Sequence, residues 1–335
     1  METSEFSSKN NVSTSQEVEE PCDDEMFQEL VETLPKAKGY NRSYYFYQGF
    51  WCPPSYFRGL LSFQKHFQAF DTHIILATLP KSGTTWLKAL TFSIANRHKF
   101  SLQDTPLLNF GPHNLVPFLE KLYSENPCPN LENCSRILST HTPYASLPPS
   151  IKDENSKCKI VYVCRNPMDV FVSHWHFVGK LRRPEYMEQL SIDEGFEMFC
   201  QGIHGFGPYS DHVLGYWKAS QTNPNKILFL KYEDLKEDIV FHVKELGKFL
   251  GFPFSKEEED QGVVEEIAKF CSFDNLKEME GNKNGKSPSG FPNSVFFRNG
   301  VVGDWSNFLK PSMVEHFVKL IQEKFDQSGL TFKFS

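Results

Sequence analysis

The feature that most constrains the fold is an apolar run handed through a tight polar loop to a second apolar run. His73-Ile74-Ile75-Leu76-Ala77-Thr78 reads as a strand, Leu79-Pro80-Lys81-Ser82-Gly83-Thr84-Thr85-Trp86 as a loop, and Leu87-Lys88-Ala89-Leu90 as the first turns of a helix. A strand, a loop with Gly and hydroxyls, then a helix make a cradle for an anion. The helix start offers N–H groups with no intrahelical acceptor and the positive end of its dipole. Gly83 permits close backbone approach, Ser82, Thr84 and Thr85 add hydroxyls, and Lys81 adds a point charge. The competing reading is an ordinary strand-to-helix turn capped by Ser and Thr.

Further apolar runs of the buried, parallel type alternate with helical patterns. Arg136–His141, Lys159–Cys164 and Lys226–Tyr232 read as strands, the first ended by Thr142-Pro143. Helices are expected over 57–67, from Thr85 to 96–98, and over 116–123, 170–181, 192–201, 209–219, 238–250, 256–270 and 312–325. This alternation predicts one α/β domain over residues 25–335, with a central parallel sheet flanked by helices and a P-loop-like strand–loop–helix. Residues 1–24 read as a disordered polar tail, 182–191 as a polar linker, and 277–292 as a mobile loop. The aromatic run Tyr44–Trp51 fits either a core strand and loop or one wall of a substrate pocket.

Charge narrows the partners. The chain of 335 residues has 42 acidic against 35 basic side chains, a net charge of −7. That balance argues against nonspecific binding to nucleic acid or to an anionic membrane, so an anion site must be locally positive. No apolar run has the length of a membrane span. The start Met1-Glu2-Thr3-Ser4-Glu5 lacks the pattern of a signal peptide, which points to the cytoplasm. The eight cysteines form no Cys-x-x-Cys pair and read as free thiols. The sequons at Asn41 and Asn133 are then not expected to carry glycans. No His or Cys spacing suggests a metal: His174 and His176 fall on different sides of a helix, and Cys158 and Cys164 flank a strand.

Residues suited to phosphate recur at other strand ends. Arg165 follows one strand, Ser173 lies two turns into the next helix, and Arg298 precedes Gly300. Arg165 suits a bidentate phosphate contact or a structural ion pair. Trp86 suits stacking on a purine or a place in the core. His141 ends its strand, at the edge where open α/β sheets bind ligands. His113 sits in a loop able to line a pocket.

Three segments together resemble the cytosolic sulfotransferases, and the wording around them is similar to the plant branch. Pro80–Trp86 resembles their 5′-phosphosulfate loop. Tyr162–Asp169 with Ser173 resembles their 3′-phosphate motif, and Phe297–Trp305 their C-terminal motif. Order and spacing match from about residue 27 to 331. The resemblance implies the donor 3′-phosphoadenylyl sulfate (PAPS), no metal, and a small hydroxyl-bearing acceptor. It assigns Lys81, Ser82, Gly83, Thr84, Thr85 and Trp86 to the phosphosulfate, with Trp86 near the adenine. Arg165, Ser173, Arg298, Asn299 and Gly300 go to the 3′-phosphate, and Tyr232, Ser272 and Phe273 to the adenine. His141 is the implied general base and Lys81 the group that stabilises the leaving oxygen. Asn299 departs from the family's usual Lys, which removes a charge beside the 3′-phosphate. A P-loop NTPase or kinase is disfavoured because Lys81 precedes the glycine and Gly-x-x-x-x-Gly-Lys-[Ser/Thr] is absent. A noncatalytic binding protein is disfavoured by the presence of both Lys81 and His141. Acceptors of the plant branch include flavonols, brassinosteroids, hydroxyjasmonate and desulfoglucosinolates. Tyr45, Phe46, Tyr47, Phe50, Trp51, Tyr144 and Phe206 are candidates for an apolar acceptor pocket. A monomer or weak homodimer is expected.

Overall fold

Seven strands form two sheets in the computed structural model, which describes residues 24–40, 43–131, 136–181 and 190–334. They are β1 (Lys36–Lys38), β2 (Ser43–Tyr47), β3 (Phe50–Cys52), β4 (Ile74–Thr78), β5 (Ile137–Thr140), β6 (Lys159–Cys164) and β7 (Ile227–Lys231). The expected N-terminal tail, the linker after Leu181 and both sequons lie wholly or mostly outside the described residues. The chain divides into two compact units, Met1–Leu34 and Pro35–Ser335, a later boundary than the expected domain start. The described part of the first unit is the helix Asp24–Thr33 and its end.

In the second unit β4 to β7 form a parallel sheet in the order β5-β4-β6-β7. Every residue of β4 and β5 is buried, as in a sheet covered on both faces. On one face Leu76, Val161 and Val163 pack against the helices Thr84–Asn96, Ile239–Leu250 and Val263–Phe270 through Leu87, Leu90, Leu246 and Ile267. Tyr162 alternates to the opposite face and stacks on Tyr216 at 4.2 Å between ring centres. Ala77 pairs with Thr140, Thr78 with Val163, and Cys164 with Lys231. The chain therefore leaves all four strands at one edge, carrying Leu79, His141, Arg165 and Tyr232 with it. The connections diverge at β4, the switch point where ligands bind in open α/β sheets.

The aromatic run Tyr44–Trp51 is the antiparallel hairpin β2–β3. Alternation sends Tyr44 inward, while Tyr45 and Tyr47 set ring edges against Phe57 at 5.4 and 5.2 Å. The expected helix over 116–123 is displaced: Pro112–Leu115 and Leu119–Glu125 are helical, with Pro117 between them. The acidic stretch over 256–270 is two helices, Lys256–Asp260 and Val263–Phe270. The polar segment 277–292, expected to be mobile, is instead pinned. Glu280–Lys283 is helical, and Lys286 forms a bridge with Pro292. Buried Asn282 and Asn293 donate to the carbonyls of Leu276 (2.8 Å) and Gly281 (2.7 Å). The polar side chains that suggest a loop are used to satisfy its backbone.

Candidate active site

The loops at the sheet edge line two cavities that share a wall. The first, about 240 Å³, is lined by Lys81, Gly83, Thr84, Thr85 and Trp86 of the loop and helix after β4. Arg165 and Ser173 come from the segment after β6, and Tyr232 from the end of β7. Ser272, Phe273, Arg298, Asn299 and Gly300 close it from the C-terminal part of the chain. The second cavity, about 460 Å³, holds His141 after β5 among aromatic side chains. His113, Phe177 and Phe296 line both.

The loop turns sharply. Lys81 and Gly83 have φ of +73° and +108°. A Cβ at Gly83 would lie 2.9 Å from Tyr232 Cδ2, so only glycine lets the helix start approach the end of β7. The turn points Ser82 inward. Its hydroxyl is fully buried, has no partner among the described residues, and does not line the cavity. The Thr84 hydroxyl bonds Thr78 Oγ1 at 2.7 Å, which leaves Thr85 as the loop hydroxyl best placed for a ligand. Lys81 Nζ lies 4.0 Å from the Phe177 ring centre and 5.9 Å from that of Phe296, with no anionic partner among the described residues. Burial, with Arg165 and Arg298 nearby, pushes its pKa down to about 7. An anion beside it restores the ammonium.

Arg165 stacks over Tyr232 at 4.5 Å and donates from Nη2 to the Val301 carbonyl at 2.7 Å. Asp169 lies 3.4 Å away, while Arg165 Nε is buried and unpartnered. Arg165 is thus ion-paired, and its Nε is a buried donor without a partner among the described residues. Arg298 is ion-paired with Asp304, and Asn299 Nδ2 donates to the same carboxylate at 2.9 Å. Gly300 has φ +69°, and a Cβ there would meet Phe273 at 2.4 Å. Ser272 caps the helix Phe273–Glu278, accepting from Asn275 N–H. Trp86 packs on the core, one of its two expected places, and also lines the first cavity.

His141 is clamped through its backbone. Glu120 Oε1 accepts from the His141 and Thr142 N–H groups (both 3.0 Å) and from the Thr140 and Thr142 hydroxyls (both 2.6 Å). The His141 carbonyl accepts from His212 Nε2 at 2.9 Å. In the ring, Nδ1–H donates to the Thr78 carbonyl at 2.6 Å. That bond leaves Nε2 as the lone-pair nitrogen. Burial pushes the pKa down to about 3, so the ring is neutral at physiological pH. Phe118 and Phe206 flank it at 4.7 and 5.4 Å.

Of the aromatics expected in an acceptor pocket, Phe206 lines the second cavity. Tyr45, Phe46, Tyr47, Phe50, Trp51 and Tyr144 do not; Tyr144, for example, packs on Tyr216 at 5.6 Å. Tyr44, Tyr56, Phe118, Phe177, Phe291 and Phe296 take their place. Sequence also missed Glu120 and Lys88. Each is a charged residue among apolar helical neighbours, a signal that names no partner. No cluster of three or more His, Cys, Asp or Glu suited to a metal occurs among the described residues. No described helix is long and apolar enough to cross a membrane.

An α/β sheet with a glycine-bearing anion loop, clustered cations and a second cavity beside it defines a protein that binds a phosphorylated ligand next to another small molecule. The chain belongs to the family described as Sulfotransferase domain, which matches residues 71–329. It is 47% identical to Cytosolic sulfotransferase 15 of Arabidopsis thaliana over 317 residues, covering 92% of this chain and 88% of that protein. The crystal structure of an Arabidopsis thaliana sulphotransferase superposes with a TM-score of 0.73 at 42% identity, covering 93% of this chain and 98% of the other. Mouse sulfotransferase SULT7A1, solved with PAP, gives a TM-score of 0.65 at 28% identity over 84% and 95%.

Proposed function

We propose that this sulfotransferase moves the sulfuryl group of PAPS to a hydroxyl of a small, ring-bearing acceptor in the cytoplasm. The observation that carries the reading is the position of Lys81. Its unpaired ammonium lies against Phe177 and Phe296, which line both the cation-rich cavity and the cavity holding His141.

Orphaned polar atoms and close backbone approach support a fit to the donor. Buried Arg165 Nε lacks a partner among the described residues, and with Ser173, Arg298, Asn299 and Gly300 on the same cavity wall it would hold the 3′-phosphate. Trp86, Tyr232, Ser272 and Phe273 would border the adenine. Lys81, Thr85 and the N–H groups of residues 83–86 would hold the phosphosulfate.

The chemistry follows from those placements. The acceptor oxygen attacks sulfur in line, and the bond from sulfur to the bridging oxygen breaks. His141 Nε2 takes the hydroxyl proton as the new S–O bond forms. The electron pair left on the bridging oxygen is met by Lys81 and the helix start. The products are a sulfate ester and 3′-phosphoadenosine 5′-phosphate (PAP). Tyr44, Tyr56, Phe118, Phe206 and Phe291 favour flat, apolar acceptor rings. Flavonoid, steroid, jasmonate and desulfoglucosinolate classes all fall within this reading. It includes no nucleic-acid or membrane partner and a monomer or weak homodimer.

Titration calorimetry with PAP and with ATP plus Mg²⁺ tests the donor. PAP is expected to bind at least tenfold more tightly. Preference for ATP with Mg²⁺ would overturn the proposal.

A further inference from the structure

Lys88 is fully buried in the helix that follows the anion loop, and no carboxylate lies within ion-pair distance of it among the described residues. Its Nζ has two hydrogen-bond partners. One is the Val116 carbonyl at 2.9 Å, the other His113 Nδ1 at 3.2 Å. His113 Nε2 in turn lies 2.9 Å from Thr85 Oγ1. His113 lines both cavities, and Thr85 lines the first. A line of three side chains thus runs from a buried cation to the ligand-facing hydroxyl of the loop.

Donor and acceptor arithmetic fixes the protons along that line. Burial pushes the Lys88 pKa down to about 7; in its ammonium form Lys88 has three N–H donors and no acceptor, so His113 Nδ1 then accepts. A neutral imidazole that accepts at Nδ1 carries its proton on Nε2. Burial, reinforced by Lys88, lowers the His113 pKa well below its ordinary value, which keeps the ring neutral. Nε2–H then donates to Thr85 Oγ1. With that lone pair used, the Thr85 proton is the group left to turn toward a ligand oxygen. A buried ion without a carboxylate is costly, and an apolar side chain of the same length would fill the site at lower cost.

We infer that Lys88 is a positioning residue that, by holding His113 as the Nε2–H tautomer, sets the Thr85 hydroxyl as a donor to the phosphosulfate. The inference rests on the donor site proposed above. The bond to Val116 also ties the helix to the segment that brings Pro117 and Phe118 to the second cavity.

Three measurements test it. Nitrogen-15 spectra of histidine-labelled wild-type protein are expected to give His113 as the Nε2–H tautomer. An Nδ1–H tautomer there would overturn the inference without any variant. Lys88→Met should lower kcat/KM for PAPS by about tenfold, with acceptor KM changed less than about twofold. In a Thr85→Val background the same substitution should change kcat/KM by less than about twofold, because its route to the ligand is already cut. Full additivity of the two losses would mean that Lys88 acts only on the fold, and would overturn the inference. PAP titration into wild-type protein separates the two readings: if PAP does not bind, the donor site itself is wrong.

Discussion

Asn299 stands where the resemblance to the sulfotransferase C-terminal motif implies a Lys. Asp304 holds both members of the local pair, Arg298 by an ion pair and Asn299 through Nδ2 at 2.9 Å. Asn307 donates to the same carboxylate at 3.2 Å. Part of the Arg298 charge is therefore spent on Asp304, and Asn299 adds no charge to offset that. Asn299→Lys restores a cation on the cavity wall. It is expected to tighten PAP binding by about three- to tenfold and to steepen its loss with salt, because the added term is electrostatic. Calorimetry at two ionic strengths reads both effects. An unchanged affinity would mean that residue 299 does not face the 3′-phosphate.

At the scale of an element, the turn after β5 decides where His141, the proposed base, stands. Glu120, on the helix Leu119–Glu125, accepts four hydrogen bonds from Thr140, His141 and Thr142 on one oxygen. Burial raises its pKa, and those bonds act against the rise. Glu120→Ala leaves three buried donors unpaired, since Thr142 N–H keeps the Thr140 hydroxyl oxygen at 3.0 Å, and should cost on the order of 3 kcal/mol in urea unfolding. It should also lower kcat far more than it weakens PAP binding, since His141 moves and the donor cavity does not. Glu120→Gln keeps an acceptor oxygen and should recover most of the stability. Equal losses from both variants would show that the turn does not depend on this acceptor. The neighbouring elements explain what sequence reading reached. Continuous apolar runs make β4, β5, β6 and β7 legible in the sequence, and with them the segments that leave the sheet edge. Lys81, His141 and Arg165 can be read as residues of those segments, whereas Tyr232 enters only through the family resemblance. The acceptor wall was not legible, because side chains alternate along β2 and β3 and send most of that aromatic run elsewhere. Phe118, Phe177, Phe291 and Phe296 come from separate segments with no shared local pattern. Glu120 and Lys88 have partners that lie far away in sequence, and no local rule identifies those.

Across the whole molecule, a chain with a net charge of −7 gathers Lys81, Arg165 and Arg298 around one cavity and aromatic side chains around the next. The first offers cations to the proposed polyanionic donor, and the second surrounds a neutral histidine with aromatic rings. Neither cavity alone can transfer a group. Lys81 and His141 serve one reaction only if both ligands are bound at once. The direct test is transfer of radiolabelled sulfate from PAPS to a panel of phenolic and steroidal alcohols, run beside PAP titration for wild type and His141→Ala. The account predicts labelled product with wild type. It predicts that His141→Ala binds PAP within about threefold of wild type yet loses at least a hundredfold in turnover. Labelled product at near wild-type rate from His141→Ala would contradict it.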